Sequence, residues 1–124
     1  MCIRDSIDTP EHKAFLAAYQ KKYNDYPRLN SVVGYATVKA IAAGLQKAGS
    51  TDTEKLIAAF KGLQFDSPFG PVVFRPQDNQ STLGIFVGRT AVKDGKGVMP
   101  SGTYLDGAKL QPSDEQIRKL RNPS

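Results

Sequence analysis

The chain has 124 residues, 40% of them hydrophobic, so it is long and apolar enough for one packed domain, and its composition argues against disorder. Its 17 Lys and Arg exceed its 12 Asp and Glu, but these basic residues are scattered, whereas binding to nucleic acid requires them to be clustered; no nucleic-acid partner is predicted. No apolar run approaches the roughly 18 residues that cross a bilayer, so no membrane span is predicted.

The first six residues, MCIRDS, resemble translated adapter sequence of the kind found in metagenomic assemblies. We expect residues 1–6 to be a sequencing artefact or a disordered start, with the natural chain continuing upstream; an ordinary flexible terminus is the alternative. This start lacks the basic and apolar regions of the signal peptide that a complete secreted protein needs. The single cysteine, Cys2, excludes an internal disulfide and a Cys-based zinc site.

The first predicted helix begins at Pro10. Thr9 can cap the exposed amides at its start, and proline is favoured at the first helical position. The helix is expected to end near Asn24 and Asp25, because Tyr26 precedes a proline and is pushed out of the α region. Apolar side chains recur at helical spacing along it: Phe15, Leu16, Tyr19 and Tyr23.

The second helix is predicted from near Asn30 or Ser31 to Ala48, and Gly49 is a typical C-terminal stop. Apolar residues cover most of its circumference, which predicts a largely buried helix. The third helix is predicted to open at residues 50–52. There, Thr51 and Glu54 have the spacing of a capping box.

After the third helix the hydrophobic period becomes that of a strand. The sequence predicts a short strand over residues 72–74 and a longer one over residues 81–91. Gly84 and Gly88 alternate on one face of the longer strand, which indicates that another backbone approaches closely there.

The remaining residues predict a turn over 94–97, a poorly patterned connection over 98–111 and a short last helix. Ser113 and Gln116 have the spacing of a capping box for that helix. Because two strands alone are marginally stable, the order of elements indicates that the strands pair with polypeptide outside this chain.

No constellation typical of an enzyme is present. His12 is the only histidine and is expected to be exposed in the first turn of a helix, so it cannot form a Cys/His metal site or a Cys–His catalytic pair. Each carboxylate lies where a helix start or a turn favours one, which predicts capping instead of acid–base catalysis. We therefore predict no catalytic residue, no metal site and no cofactor.

Two residues are candidates for ligand binding. Tyr35 lies near the start of the second helix, where its ring can close over a small apolar group and its hydroxyl can bond a polar one. The alternative is a core tyrosine whose hydroxyl bonds the backbone. Ser31 lies at a helix start, which suits an anionic group, but Asn30 and Ser31 can equally be caps of that helix.

Several segments carry a resemblance to a known family: YNDYP (23–27), the helix beginning GYA (34–50), FDSPFG (65–70), VF (73–74) and DNQ (78–80). In this order and spacing they resemble the C-terminal third of a branched-chain amino-acid type ABC transporter substrate-binding protein, similar to the leucine-binding proteins. Residues 104–107, 110–113 and 117–121 are similar to the tail of some bacterial members.

The resemblance implies an α/β fold, namely the C-terminal part of the two-lobed type 1 periplasmic binding protein fold. Its elements would be three helices, then a short and a long strand and a terminal helix. Residues 7–80 would be the C-terminal half of the first lobe, and residues 81–124 the last hinge crossing and the return to the second lobe. Most ligand contacts would come from outside this chain, and Tyr35 lies near the position where the second helix approaches the pocket.

The resemblance also implies capture of a small polar solute between the lobes and its delivery to an ABC permease. The expected ligand is a branched-chain or other amino acid, an amide or a urea-like solute; relatives also take up aromatic acids. The expected location is the periplasm, or the cell exterior as a membrane-anchored lipoprotein in a Gram-positive source. A ligand-sensing regulatory protein of the same fold and a free-standing helical interaction module remain open as alternatives.

Overall fold

A computed structural model describes residues 7–121, and the prediction for residues 1–6 lies outside them. The elements in chain order are α1 (Pro10–Tyr23), α2 (Leu29–Ala48), α3 (Thr53–Phe60), β1 (Gln64–Ser67), β2 (Gly70–Val73), β3 (Ile85–Lys93), β4 (Lys96–Leu105), α4 (Gly107–Leu110) and α5 (Asp114–Arg121). The mixed α/β class is confirmed, although the predicted inventory lacked two strands and a short helix. No helix within residues 7–121 is long and apolar enough to cross a bilayer.

The predicted bounds of α1 are confirmed. The hydroxyl of Thr9 accepts a hydrogen bond from the backbone amide of His12 at 3.1 Å, and Asn24 ends the helix in the left-handed conformation with φ of 47°. The same hydroxyl donates to the carbonyl of Pro68 at 3.1 Å. Thr9 therefore both caps α1 and joins it to the turn between β1 and β2.

The start and the burial of α2 differ from the prediction. The helix begins at Leu29, with Arg28 as a cap that makes no side-chain bond, so neither Asn30 nor Ser31 is the cap. Gly49 ends the helix with φ of 58°, as predicted. The prediction of a largely buried helix is wrong, because α3 and the β1–β2 hairpin cover one stripe only: Val32, Ala36, Ala40 and Gly44.

The cap of α3 is Asp52, whose carboxylate accepts a hydrogen bond from the amide of Lys55 at 3.0 Å. The predicted capping box at Thr51 and Glu54 therefore does not form, and the cap lies one residue later than predicted. This helix packs on α2 where Gly44 faces the ring of Phe60, and an added Cβ at Gly44 would lie 2.6 Å from two ring carbons.

The first sheet is an antiparallel hairpin of β1 and β2, in which Gln64 pairs with Val73 and Ser67 with Gly70. Only part of β2 was predicted, and Phe74, expected to continue that strand, instead forms an isolated bridge with Ser81. The hairpin turn can be buried because the Ser67 hydroxyl satisfies a polar group of its backbone. This hydroxyl donates a hydrogen bond to the carbonyl of Gly70 at 2.8 Å.

The second sheet is the antiparallel hairpin of β3 and β4, so the prediction of an unpatterned connection over 98–111 is wrong. Asp94 and Gly95 form its two-residue turn, both with positive φ, which is typical of a tight hairpin turn. The predicted close approach of a second backbone is confirmed. A Cβ added to Gly84 would clash with the carbonyl of Leu105, and one added to Gly88 with that of Ser101.

The last helix has the predicted capping box. The backbone amide of Ser113 donates to the Gln116 side chain at 2.8 Å, and the amide of Gln116 donates to the Ser113 hydroxyl at 3.3 Å. The main core cluster joins residues from several elements: Ile7, Phe15, Val32 and Phe69, with Tyr19, Leu83 and Phe86 packed against it. This core fixes α1 beside α2, and the candidate site lies along that contact.

Candidate functional site

A surface groove of about 660 Å³ runs between α1 and the start of α2. Its lining residues are Phe15, Ala18, Tyr19, Lys22, Tyr23, Ser31 and Tyr35. Both ligand-binding candidates predicted from the sequence therefore lie in one groove. They share it because Ser31 and Tyr35 are one helical turn apart and project from the same side of α2.

A row of aromatic rings forms the wall of the groove. The ring centroids of Tyr23 and Tyr19 are 4.6 Å apart, those of Tyr19 and Phe15 are 5.9 Å apart, and those of Phe15 and Tyr35 are 4.7 Å apart. The first three rings follow one another at every fourth residue of α1, which places them on one face of the helix. Tilted rings at such distances attract one another, and they offer apolar faces to a ligand.

Tyr35 is not a core residue. Its side chain is 41% exposed, and its hydroxyl makes no hydrogen bond with the described residues, so the alternative of a buried tyrosine bonded to backbone does not apply. The hydroxyl of Ser31 also makes no bond within the described part, although its backbone amide donates to the carbonyl of Arg28 at 3.0 Å. The two hydroxyls can therefore bond a molecule in the groove.

Lys22 contributes the only charge among the lining residues. Its ammonium lies 5.4 Å from the centroid of the Tyr23 ring, a cation–π arrangement that keeps the charge beside the groove. A groove with aromatic walls, the hydroxyls of Ser31 and three tyrosines, and one cation suits a small molecule with an apolar body and an anionic group. Among the described lining residues there is no acid–base pair and no nucleophile–base pair.

A second polar cluster lies away from the groove. The guanidinium of Arg75 bonds both carboxylate oxygens of Asp78, with Nε donating to Oδ1 at 3.2 Å, and the amide of Gln80 donates to the same oxygen at 3.1 Å. The hydrogen bond from Arg75 lowers the pKa of Asp78 below its usual range against the opposing effect of desolvation, and the Gln80 amide also lowers it. Because this carboxylate is 3% exposed and its oxygens are occupied, the cluster is structural.

His12 does not lie where the sequence predicted. It is 2% exposed, and it packs beneath α2 beside Pro27, Val32 and Phe69 instead of facing solvent. The physical reason is that the first turn of α1 is covered by the segment entering α2. Among residues 7–121, no group of three or more His, Cys, Asp and Glu side chains is placed to bind a metal ion.

Sequence reasoning missed five residues of the groove: Phe15, Ala18, Tyr19, Lys22 and Tyr23. The signal was present, because aromatic residues at every fourth position of α1 mark one helix face. On that face Phe15 is buried, whereas Tyr23 is 56% exposed. Periodicity identifies a face but does not tell whether another element covers it.

A sequence model of the family described as periplasmic binding protein matches residues 3–96. The leucine-, isoleucine-, valine-, threonine- and alanine-binding protein of Pseudomonas aeruginosa is 34% identical over 65 residues, which are 52% of this chain and 17% of that protein.

Two solved structures from Rhodopseudomonas palustris are similar. An ABC-type branched-chain amino acid transporter protein from strain CGA009 is 30% identical, with a TM-score of 0.73, over 83% of this chain and 29% of that chain. A solute-binding protein of an ABC transporter from strain HaA2, in complex with p-hydroxybenzoic acid, is 30% identical, with a TM-score of 0.69, over 92% of this chain and 31% of that chain. This chain thus spans less than a third of the length of each of these relatives.

Proposed function

Because the chain belongs to the periplasmic binding protein family, we propose that it is the C-terminal part of an extracytoplasmic solute-binding protein. The whole protein captures an amino acid or related small polar solute between two lobes and delivers it to an ABC permease. The observation that carries this proposal is the family match over residues 3–96. The similarity in fold to ABC transporter binding proteins supports it.

We place the division between the lobes within the loop that follows β2, after Gln80. Residues 7–80 belong to the first lobe, and residues 81–124 contain the last crossing between lobes. A solute that contacts both lobes binds the closed form more tightly, so it shifts the equilibrium between open and closed forms toward closure. The permease then distinguishes the loaded protein from the empty one by its shape.

We place part of the ligand site in the groove between α1 and α2. Tyr35 supplies an apolar ring face and a hydroxyl, Ser31 supplies a second hydroxyl, and Lys22 supplies a positive charge. These groups suit a solute that joins an apolar side chain or ring to a carboxylate. Four amino acids in the name of one relative (leucine, isoleucine, valine and alanine) and the p-hydroxybenzoic acid bound by another have that composition; threonine, also in that name, adds a hydroxyl.

The test is a thermal-shift screen of the complete gene product that contains this chain. L-leucine, L-alanine, acetamide, urea and p-hydroxybenzoic acid are added singly, with glucose as a control that lacks both an ammonium and a carboxylate group. Saturation at 100 times the dissociation constant stabilises a protein by about 2.7 kcal/mol, so at least one solute is expected to raise the melting temperature. No rise with any solute, together with the absence of permease genes beside this gene, would contradict the proposal.

A further inference from the structure

The segment after β4 packs back on the loop that follows β2. Four hydrogen bonds join them: Gln111 Nε2 to the carbonyl of Ser81 at 2.7 Å, Arg75 Nη1 to the carbonyl of Pro112 at 3.0 Å, Arg121 Nη2 to the carbonyl of Asp78 at 3.1 Å, and Gln77 Nε2 to the carboxylate of Asp114 at 3.5 Å. The bidentate pair of Arg75 and Asp78 orients both sides of this contact. We call residues 107–121, with these bonds, the clasp.

The base of the β3–β4 hairpin, where β3 begins and β4 ends, is also held by specific contacts. The hydroxyl of Tyr104 accepts a hydrogen bond from the backbone amide of Gly84 at 3.0 Å. Gly107 lies so close to the chain before β3 that an added Cβ would be 2.6 Å from the carbonyl oxygens of Thr82 and Leu83. At the start of β3, the ring of Phe86 packs on the main core cluster.

The distal half of the same hairpin is different. The register is regular from Ile85 to Arg89, shifts between Arg89 and Ala91, and resumes until the turn. There Met99 and Pro100 of β4 stand opposite Thr90 alone, so the bulge lies in β4, and Pro100 has no backbone N–H to donate to the ladder. Beyond the bulge, residues 90–95 are all exposed, and Val92 is 78% exposed.

We infer that the clasp makes residues 107–121 part of the same rigid body as residues 7–84, and that movement of the last crossing occurs at the bulge between Arg89 and Ala91. This inference rests on the proposed function, in which the two lobes move relative to each other. Bending at the bulge breaks no bond of the clasp, whereas bending at residues 81–84 would break the bonds to Ser81 and Gly84. Within the segment 81–124, the moving part is therefore the distal half of the hairpin.

The test measures distances between pairs of spin labels in the complete gene product by double electron–electron resonance. Cys2 and any further cysteine are first replaced by serine, so that only introduced cysteines are labelled. The first pair joins Gln46 in α2 to Lys93 beyond the bulge. The second pair joins Gln46 to Lys119 in the clasp. All three positions are exposed.

In the protein without added solute, the distance distribution of the pair at Gln46 and Lys93 is expected to be about twofold wider than that of the pair at Gln46 and Lys119. Arg121→Ala is expected to widen the second distribution, whereas Arg118→Ala, at an exposed residue of the same helix outside the clasp bonds, is expected to leave it unchanged. Equal widths for the two pairs, whether both narrow or both wide, would overturn the inference.

The same samples separate this inference from the proposed function. L-leucine and p-hydroxybenzoic acid are added as probes, and a solute that closes the lobes narrows or shifts only the distribution for Gln46 and Lys93. If neither these nor any solute of the screen changes it while the difference in width remains, the proposed function fails and the location of the hinge stands. If the solutes change the distance distributions of both pairs equally, the clasp is not part of the first-lobe body and the inference is wrong.

Discussion

Gly34 and Gly44 lie in the same helix but in different surroundings. An added Cβ at Gly44 would lie 2.6 Å from the Phe60 ring, whereas one at Gly34 would meet nothing within 4 Å. Gly44→Ala is therefore expected to destabilise the protein by about 1–3 kcal/mol through overpacking. Gly34→Ala should stabilise it by about 0.5–1 kcal/mol, because alanine loses less backbone entropy on folding.

Urea unfolding of the two variants of the complete gene product checks this pair. The two changes add the same methyl group to the same helix, so helix propensity alone predicts that both raise the free energy of unfolding. A gain in stability for Gly44→Ala would mean that the Phe60 ring moves aside freely. A loss for Gly34→Ala would mean that another segment of the gene product covers that position.

Substitutions of Tyr35 and Ser31 that each remove one hydroxyl test the proposed ligand site. Each hydroxyl that bonds the solute contributes about 0.5–1.5 kcal/mol, so Tyr35→Phe and Ser31→Ala are each expected to weaken binding by roughly two- to tenfold. Isothermal titration with the solute found in the screen measures the change. Thr37→Ala is the control, because Thr37 lies outside the groove and its hydroxyl donates to the carbonyl of Val33 at 3.0 Å. Unchanged affinity in both groove variants would remove this groove from the ligand site.

Asp78 links stability to pH. Its pKa is lowered in the folded protein by the bond from Arg75, so the charged form is favoured by folding. This contribution is complete above the unfolded pKa of about 3.9 and is lost as the pH falls through the lower folded value. Asp78→Asn is therefore expected to lower the melting temperature at pH 7, and the difference from the natural protein should shrink below about pH 4.

The measurement is the melting temperature of both proteins between pH 7 and pH 2.5. Asp66→Asn is a matched control, because the Asp66 side chain is exposed and makes no hydrogen bond or ion pair with the described residues; its melting temperature at pH 7 should hardly change. A constant difference between Asp78→Asn and the natural protein across the whole range would show that the loss comes from packing and not from the charge.

At the scale of elements, one hydroxyl connects a helix to a hairpin. Thr9 accepts from the first turn of α1 and donates to Pro68 in the buried turn of the β1–β2 hairpin. Thr9→Val keeps the shape but removes both bonds, and a lost helix cap costs about 1–2 kcal/mol. Thr37→Val, at an exposed position of α2, should stay within about 0.5 kcal/mol of the natural protein. Chemical denaturation measures the free energy of unfolding of both variants. Equal values would contradict the role of Thr9 in joining α1 to the β1–β2 hairpin.

The helices were predictable because their ends are encoded locally. Thr9 and Pro10 mark one start, Gly49 marks one end, and Ser113 with Gln116 marks another start, and each is observed. The start of α2 was misplaced because Arg28 caps it without a side-chain bond, which leaves no sequence signal.

The strands were harder because their partners are distant or their residues atypical. The strand β4 contains Pro100 and two glycines, Gly97 and Gly102, residues that are rare in strands, and it forms because β3 pairs with it. The strand β1 carries Asp66 and ends at Ser67, which together suggest a turn. Long-range pairing overrode local preference in both places.

At the scale of the whole molecule, part of the apolar surface is uncovered. The side of α2 opposite its buried stripe carries Val38, Ile41 and Leu45, which are 65%, 48% and 37% exposed. The sequence predicted this helix to be largely buried, and the described part of the chain covers only one side. The predicted family is confirmed by the match over residues 3–96, and its members are about three or more times longer than this chain.

We therefore expect this side of α2 to be covered by the rest of the gene product. If it is covered there, the double substitution of Val38 and Ile41 by Lys places two charges in an apolar contact and should cost the complete gene product more than about 4 kcal/mol, an exceptional loss. In the 124-residue chain alone, the same change removes an exposed apolar patch and should reduce aggregation and binding of a hydrophobic dye. The double substitution is therefore expected to destabilise the complete gene product but to reduce aggregation of the 124-residue chain alone.

Ala17→Lys is the control for charge, because Ala17 is exposed on α1 and the substitution should have little effect in either context. Thermal unfolding is measured for the complete gene product, and light scattering with dye fluorescence for the chain alone. A complete gene product that tolerates both lysines would show that the apolar side of α2 faces solvent there too. The expectation that polypeptide outside residues 7–121 packs on this side of α2 would then be wrong.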